Sequence, residues 1–313
     1  MRILAVDDEP SILELLTQIL AVFGYEEVVT APNGRDALEI LRSDPKPFDC
    51  LLLDVQMPQM NGIDLCEAVR SLPGYRFTPI IMVTAMVQKQ YIDDAFEVGA
   101  SDYVTKPFEF EDLKQRLSDA YRLAAERKAA ILAMEAFDNA QTDSKVAHEF
   151  QLGDPLVLNT LAGCQGLAEF ENYVGKIATS HPLDASVLAV KVEDADWVYR
   201  NSTSDVFRSV MSAAGREILS ATQGARSLAT YWGNGVFLVV LDNNCPVDIQ
   251  GLANRMAEIA TTSDSENLSI GNISCRLGEV VPLRATTKLE ALFLIDKAVE
   301  TAEVPFSPMT MAG

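Results

Sequence analysis

Cys50-Leu51-Leu52-Leu53-Asp54, followed by Val55-Gln56-Met57-Pro58-Gln59-Met60-Asn61-Gly62, is the stretch on which the fold turns. A short apolar run carries straight into one carboxylate. Pro58 and Gly62 break the chain before a new helical pattern. An apolar run of this length, closed by turn residues, suits a strand buried on both faces of a parallel sheet. Its last residue then stands at the carboxyl edge of the sheet, where α/β folds collect ligands. Asp54 is thus predicted to be a charged group presented by a rigid strand. A lone Asp after a strand more often caps a turn. Three further segments therefore carry the argument.

The opening strand, Ile3-Leu4-Ala5-Val6, ends in Asp7-Asp8-Glu9-Pro10. Adjacent carboxylates repel each other unless a cation sits among them. A hard divalent ion such as Mg2+ takes one or two carboxylates, keeps several waters and bridges to phosphate oxygens. Pro79-Ile80-Ile81-Met82-Val83-Thr84-Ala85 is an apolar strand ending in a hydroxyl. Asp102-Tyr103-Val104-Thr105-Lys106-Pro107-Phe108 is a short strand ending in a cation. On a parallel sheet these four strand ends converge on one rim. Each alone is weak; the four in this order are specific.

These residues resemble the receiver domain of two-component response regulators, over about the first 120 residues. The resemblance implies a flavodoxin-like doubly wound fold with Asp54 as phosphoacceptor. It implies that Asp8 and Asp54, with the Gln56 backbone carbonyl, hold Mg2+, and that Asp7 acts mostly through water. Thr84 is expected to hydrogen-bond the phosphoryl group and Lys106 to pair with its charge. Tyr103 matches the family's switch aromatic, and Lys106-Pro107 a bond the family usually keeps cis. The chemistry is coherent by itself. A carboxylate attacking a phosphoryl group must approach a dianion, so positioning and cationic charge supply most of the catalysis.

The 313 residues suffice for two domains of ordinary size. The formal charge is −20, from 45 acids against 25 bases. That balance argues against a nucleic-acid-binding output and against an acidic membrane surface, because phosphate contacts need clustered Lys and Arg. Cys50, Cys66, Cys164, Cys245 and Cys275 are scattered and odd in number, which suits a reducing compartment rather than a disulfide framework. Asp7-Asp8-Glu9 interrupts the first apolar run, so no signal peptide is expected. No segment is long and apolar enough to span a bilayer. The expected location is cytoplasmic.

Strand and helix signals alternate through the first 120 residues, as in a doubly wound sheet. Helices are expected over Pro10 to Phe23, Asp36 to Leu41, Asp64 to Ser71 and Gln88 to Val98, with a second strand at Val28-Val29-Thr30. From Glu109 no Gly or Pro appears until Gly153. Leu113, Leu117, Ala120, Ala124, Ile131 and Met134 form a partial heptad seam along that run. Domain boundaries are set at 1–122 for the receiver, 123–149 for a helical linker, 150–304 for an output domain and 305–313 for a disordered tail.

In the second half, one helix or two is expected over Leu156 to Ile177, a strand over Ser186 to Val192, and a helix over Val206 to Ala221. Ser227 to Tyr231 and Val236 to Leu241 flank Trp232-Gly233-Asn234-Gly235. Asn-Gly is a strong hairpin signal, because both central positions of the favoured turn need positive φ. A helix over Ile249 to Ala260, strands within Leu268 to Val281 and a helix over Leu289 to Ala302 complete the pattern.

This order resembles the α+β GGDEF domain of diguanylate cyclases, a nucleotidyl-cyclase-like fold. Three stretches carry the resemblance: Tyr231 to Leu238, Ile295-Asp296-Lys297-Ala298-Val299, and Leu161 to Phe170. The departures are sharp. The signature Gly-Gly-Asp-Glu-Phe is here Gly233-Asn234-Gly235-Val236-Phe237, so both metal-binding acids are gone. Lys191 stands where the family's first strand presents a metal-binding Asp, with Glu193 or Asp194 as misregistered substitutes. The inhibitory Arg-x-x-Asp is missing too, and Arg226 stands out of register.

The expected protein is therefore a response regulator with a degenerate GGDEF output acting by protein contact. A sensor histidine kinase or phosphotransfer protein would supply the phosphoryl group, and a homodimer would form on phosphorylation. Two alternatives stay open. One is an active cyclase using Glu193, Asp194 or Asp196 for metal; the other binds GTP or cyclic diguanylate without turnover.

Overall fold

In a computed structural model of the chain, the described residues are 1–72, 74–122, 125, 148–158, 161, 163–182, 184–222, 228–242 and 274–303. They fall into two units that divide between Thr142 and Asp143, inside the expected linker. The seam positions Ala124, Ile131 and Met134, Arg226, the expected helix at 249–260 and the tail at 305–313 lie outside the described residues.

The first unit alternates strand and helix from its first residues. β1 (Arg2–Val6), β2 (Glu27–Ala31), β3 (Cys50–Leu53), β4 (Ile80–Thr84) and β5 (Asp102–Thr105) form one sheet in the order β2-β1-β3-β4-β5. Every neighbouring pair is parallel. That is the flavodoxin-like order. β3 and β4 are buried along their whole length, which is why both read as unbroken apolar runs.

The connecting helices are α1 (Pro10–Val22), α2 (Gly34–Ser43), α3 (Gly62–Arg70) and α4 (Lys89–Glu97). A fifth, α5, covers 110–122. Pro10 stands at the first turn of α1, where no N–H is needed. Asn33 and Asn61 cap α2 and α3 by accepting from the Asp36 and Asp64 amides at 2.8 Å. Ile3, Ala5, Leu52, Ile81 and Val83 share one core with Leu16, Ile19 and Leu20 of α1 and Leu113 and Leu117 of α5. Leu4, Val6, Leu51 and Leu53 alternate to the opposite face and are buried as well.

The second unit has a mixed sheet. Its strands are β6 (Cys164–Gln165), β7 (Ala185–Val192), β8 (Ala229–Gly233), β9 (Val236–Asp242), β10 (Cys275–Leu277) and β11 (Val281–Pro282). The order is β10-β7-β9-β8-β6, with β11 also on β7. β8 and β9 form the expected hairpin, and Asn234 and Gly235 both have positive φ, 51° and 77°. α7 (Ala195–Asn201) and α8 (Ser204–Ala221) cover one face through Val198, Phe207, Met211 and Ile218. α6 (Leu167–Ser180) and α9 (Lys288–Glu303) pack together on β7, β8 and β9.

Two local expectations need correction. The helix expected from Leu156 begins only at Leu167. Gly163, at φ 80°, and Gly166 interrupt it; Leu156 instead bridges to Tyr231 and β6 pairs with β8. α7, a single short helix, went unread because seven residues hold too few turns to show periodicity.

Candidate functional site

The carboxyl ends of β1, β3, β4 and β5 meet on one rim, tied by their backbones. The Asp54 amide donates to the Val6 carbonyl at 2.9 Å, and the Lys106 amide to the Thr84 carbonyl at 2.8 Å. Asp7 and Asp54 are buried, 1% and 6% exposed, while Asp8 is exposed. The Lys106 ammonium donates to Asp7 Oδ2 at 2.6 Å and to Asp54 Oδ1 at 3.2 Å. The remaining oxygens are also held. Asp54 Oδ2 accepts from the Gln56 amide and Asp7 Oδ1 from the Glu9 amide, both at 2.9 Å.

The loop after β3 sets how Asp54 is offered. Gly62 lies so close that a Cβ there would sit 2.1 Å from the Asp54 carbonyl oxygen. Its amide donates to the Val55 carbonyl at 3.0 Å. Any side chain at 62 would push the loop off the strand end, which gives the sequence glycine a steric reason. Thr84 is fully buried, and its hydroxyl accepts from the Met86 amide at 3.3 Å. Tyr103 is fully buried too, and its hydroxyl donates to the Met86 carbonyl at 2.9 Å. The expected switch aromatic points inward.

Charge at the rim is unbalanced. Burial pushes the Asp54 carboxyl above its usual range, and Asp7 adds to that; Lys106 and the Thr84 hydroxyl work against it. Burial pulls the Lys106 ammonium down, but Asp7 and Asp54 outweigh it and raise it overall. Burial also lifts the Tyr103 phenol well above its ordinary value. Two buried carboxylates share one ammonium, so negative charge is left over. Among the described residues no three His, Cys, Asp or Glu side chains group as a ligand set. A hard divalent cation needs only one or two carboxylates, with carbonyl and water oxygens completing its shell. The donor chemistry at the rim fits such an ion.

The hairpin of the second unit is closed rather than open. Gly235 and Val236 are buried. A Cβ at Gly235 would lie 2.4 Å from Ala195 Cβ and 2.8 Å from the Val192 carbonyl. A Cβ at Gly233 would lie 2.3 Å from the Gly153 carbonyl. The Asn234 amide donates to the Leu152 carbonyl at 2.7 Å, and the Gly235 amide to the Tyr231 hydroxyl at 2.9 Å. Lys191 donates to the Asn234 carbonyl. Phe237 is buried in the core, its ring 5.2 Å from Tyr231. Glu193 pairs with Arg276 at 2.8 Å, Asp196 with Arg200 at 3.0 Å, and Asp194 accepts from the Ser274 amide at 3.4 Å.

Sequence reasoning missed the Met86 carbonyl as the anchor of Tyr103, and the residues that wall in the hairpin tip. Neither has a local signal.

Residues 3–118 match the response regulator receiver domain family. Residues 3–118 are a response regulator receiver domain. The chain is 38% identical over 133 residues to the DNA-binding response regulator MtrA of Mycolicibacterium smegmatis, covering 42% of this chain and 56% of that protein. It is 39% identical over 117 residues to the signal transduction histidine-protein kinase BarA of Shigella flexneri, covering 37% of this chain and 12% of that protein. The chain thus spans under two thirds of these curated relatives. The solved chemotaxis protein CheY4 of Vibrio cholerae is 38% identical, with 38% of this chain and 97% of that chain covered and a TM-score of 0.36. No helix among the described residues is long and apolar enough to cross a membrane.

Proposed function

We propose that the receiver takes a phosphoryl group on Asp54 and that the second unit answers by protein contact rather than by turnover. The observation that carries the first part is Lys106 bridging Asp7 and Asp54 at the strand ends. Asp54 Oδ1 is the nucleophile; it leaves Lys106 and bonds to phosphorus as the donor's phosphorus–nitrogen bond breaks and its imidazole departs, and Lys106 turns to the charge of the incoming phosphoryl oxygens. The Thr84 hydroxyl supplies a second donor on the next strand. Asp8, Asp54 and the Gln56 carbonyl would hold Mg2+, with Asp7 acting through water. When bound, Mg2+ supplies the positive charge that lets one anion approach another. A histidine kinase or phosphotransfer protein of a two-component system is the donor. Labelling by acetyl phosphate, present in the wild type and absent in Asp54→Asn, tests the assignment. Persistent labelling of the variant would sink it.

The second unit reads as a degenerate GGDEF-like domain in a cytoplasmic regulator. What supports the loss of chemistry is the sealed hairpin tip, where Gly235 has no room for a side chain. The acids that could substitute, Glu193 and Asp196, are taken up by Arg276 and Arg200. Incubation with GTP and Mg2+ or Mn2+ should give no cyclic diguanylate, phosphorylated or not. Output then passes to a downstream protein partner, with two chains brought together on phosphorylation. Light scattering with and without beryllofluoride reads that step; an unchanged monomer mass would rule out the dimer.

A further inference from the structure

The second unit holds a cavity of about 490 Å³ that the phosphorylation chemistry does not use. Its wall is one face of α8 and its floor is Val157 and Leu158 of the segment leading into β6. Arg208, Ser212 and Arg216 line it at four-residue steps, one above the other on the helix. The volume falls within the roughly 300–1,000 Å³ range of small-molecule sites. The two arginines differ. Arg208 lies over the Phe150 ring at 4.8 Å and 4.0 Å from Glu149, and Asp205 joins it on the cavity wall. For Arg216, no carboxylate lies within ion-pair distance among the described residues. Asp205 is the one carboxylate among the described lining residues, three residues from Arg208 and eleven from Arg216.

The geometry points to a binding site for a small, elongated organic anion between α8 and the Val157–Leu158 segment. Its oxyanion head sits on the planar fork of Arg216, which suits carboxylate or phosphate geometry. The Ser209 hydroxyl lines the same wall and can donate to it. Its apolar body lies along Val157 and Leu158 toward Arg208. The two arginines are eight residues apart, about 12 Å along the helix axis. A bare phosphate cannot use that length, and a phosphate ester or carboxylate with a ring or short chain can. Asp205, at the far end, repels a second charge there. The site goes beyond the proposed function and does not depend on it.

The test is calorimetry on the full chain in EDTA, which disables metal-dependent binding at the receiver. Phenyl phosphate and phenylacetate are the probes, with phenol and inorganic phosphate as controls. One of the two aryl anions should bind saturably, and which one does identifies the head group. Arg216→Gln should weaken it about tenfold or more, since a charged hydrogen bond is lost. Arg216→Lys should recover only part of that, and Asp205→Asn should bind at least as tightly as the wild type. Arg200→Gln, a charge change outside the cavity, should leave binding unaltered. Failure of both aryl anions to saturate would overturn the site. So would an affinity untouched by Arg216→Gln, or lowered equally by Arg200→Gln.

Discussion

The Tyr103 hydroxyl donates to the Met86 carbonyl at 2.9 Å, with the ring fully buried. The bond joins β5 to the loop after β4, so it fastens Thr84 and Lys106 into one assembly. Tyr103→Phe keeps the ring and removes the bond. The expected loss of stability is about 1 kcal/mol. Acetyl phosphate labelling should persist, because the bond removed is to the Met86 carbonyl rather than to a group that holds the phosphoryl. Urea unfolding and a labelling time course check both halves.

Asp54→Asn should raise the urea midpoint of the receiver at neutral pH. Burial and Asp7 hold the Asp54 carboxyl above its unfolded value, so its ionised form opposes folding. A carboxyl raised in the folded state binds its proton more tightly there, and stability falls as pH rises past the unfolded pKa. Asparagine removes that fall. The gap between variant and wild type should therefore close as the pH drops into the ordinary carboxylate range. A gap that widens on acidification would contradict the sign.

Lys106→Met leaves Asp7 and Asp54 buried together without their cation. Removing one partner of a buried pair costs about 3 kcal/mol at neutral pH. Acidification should restore part of it, since burial raises the Asp54 carboxyl and its protonation relieves the repulsion. Thermal unfolding across a pH series is the measurement.

Gly235→Asp, which restores one acid of the cyclase signature, should not restore chemistry. A side chain there meets Ala195 Cβ at 2.4 Å and the Val192 carbonyl at 2.8 Å, on backbone with φ 77°. Left-handed strain and overpacking together cost about 3 kcal/mol. The variant should melt lower and make no cyclic diguanylate from GTP. An unchanged melting temperature would show that the hairpin tip is looser than its packing implies.

Sequence by itself determined the order of the receiver's strands and helices. It also placed Asp7, Asp54, Thr84 and Lys106 at strand ends, because a fully buried parallel strand must be an apolar run and turn residues must close it. It set the Asn234-Gly235 turn for a similar reason: positive φ at two successive positions is a local requirement with a local residue signature. What only the tertiary structure decided are contacts between residues far apart in the chain. Lys106 reaches across 99 residues to Asp7, and Tyr103 across 17 to the Met86 carbonyl. The closing of the hairpin tip by Leu152, Gly153 and Ala195 belongs to the same class. Periodicity and turn chemistry act over a few residues. Which buried group meets which is settled by packing, where burial makes each polar atom find a partner regardless of its distance along the chain.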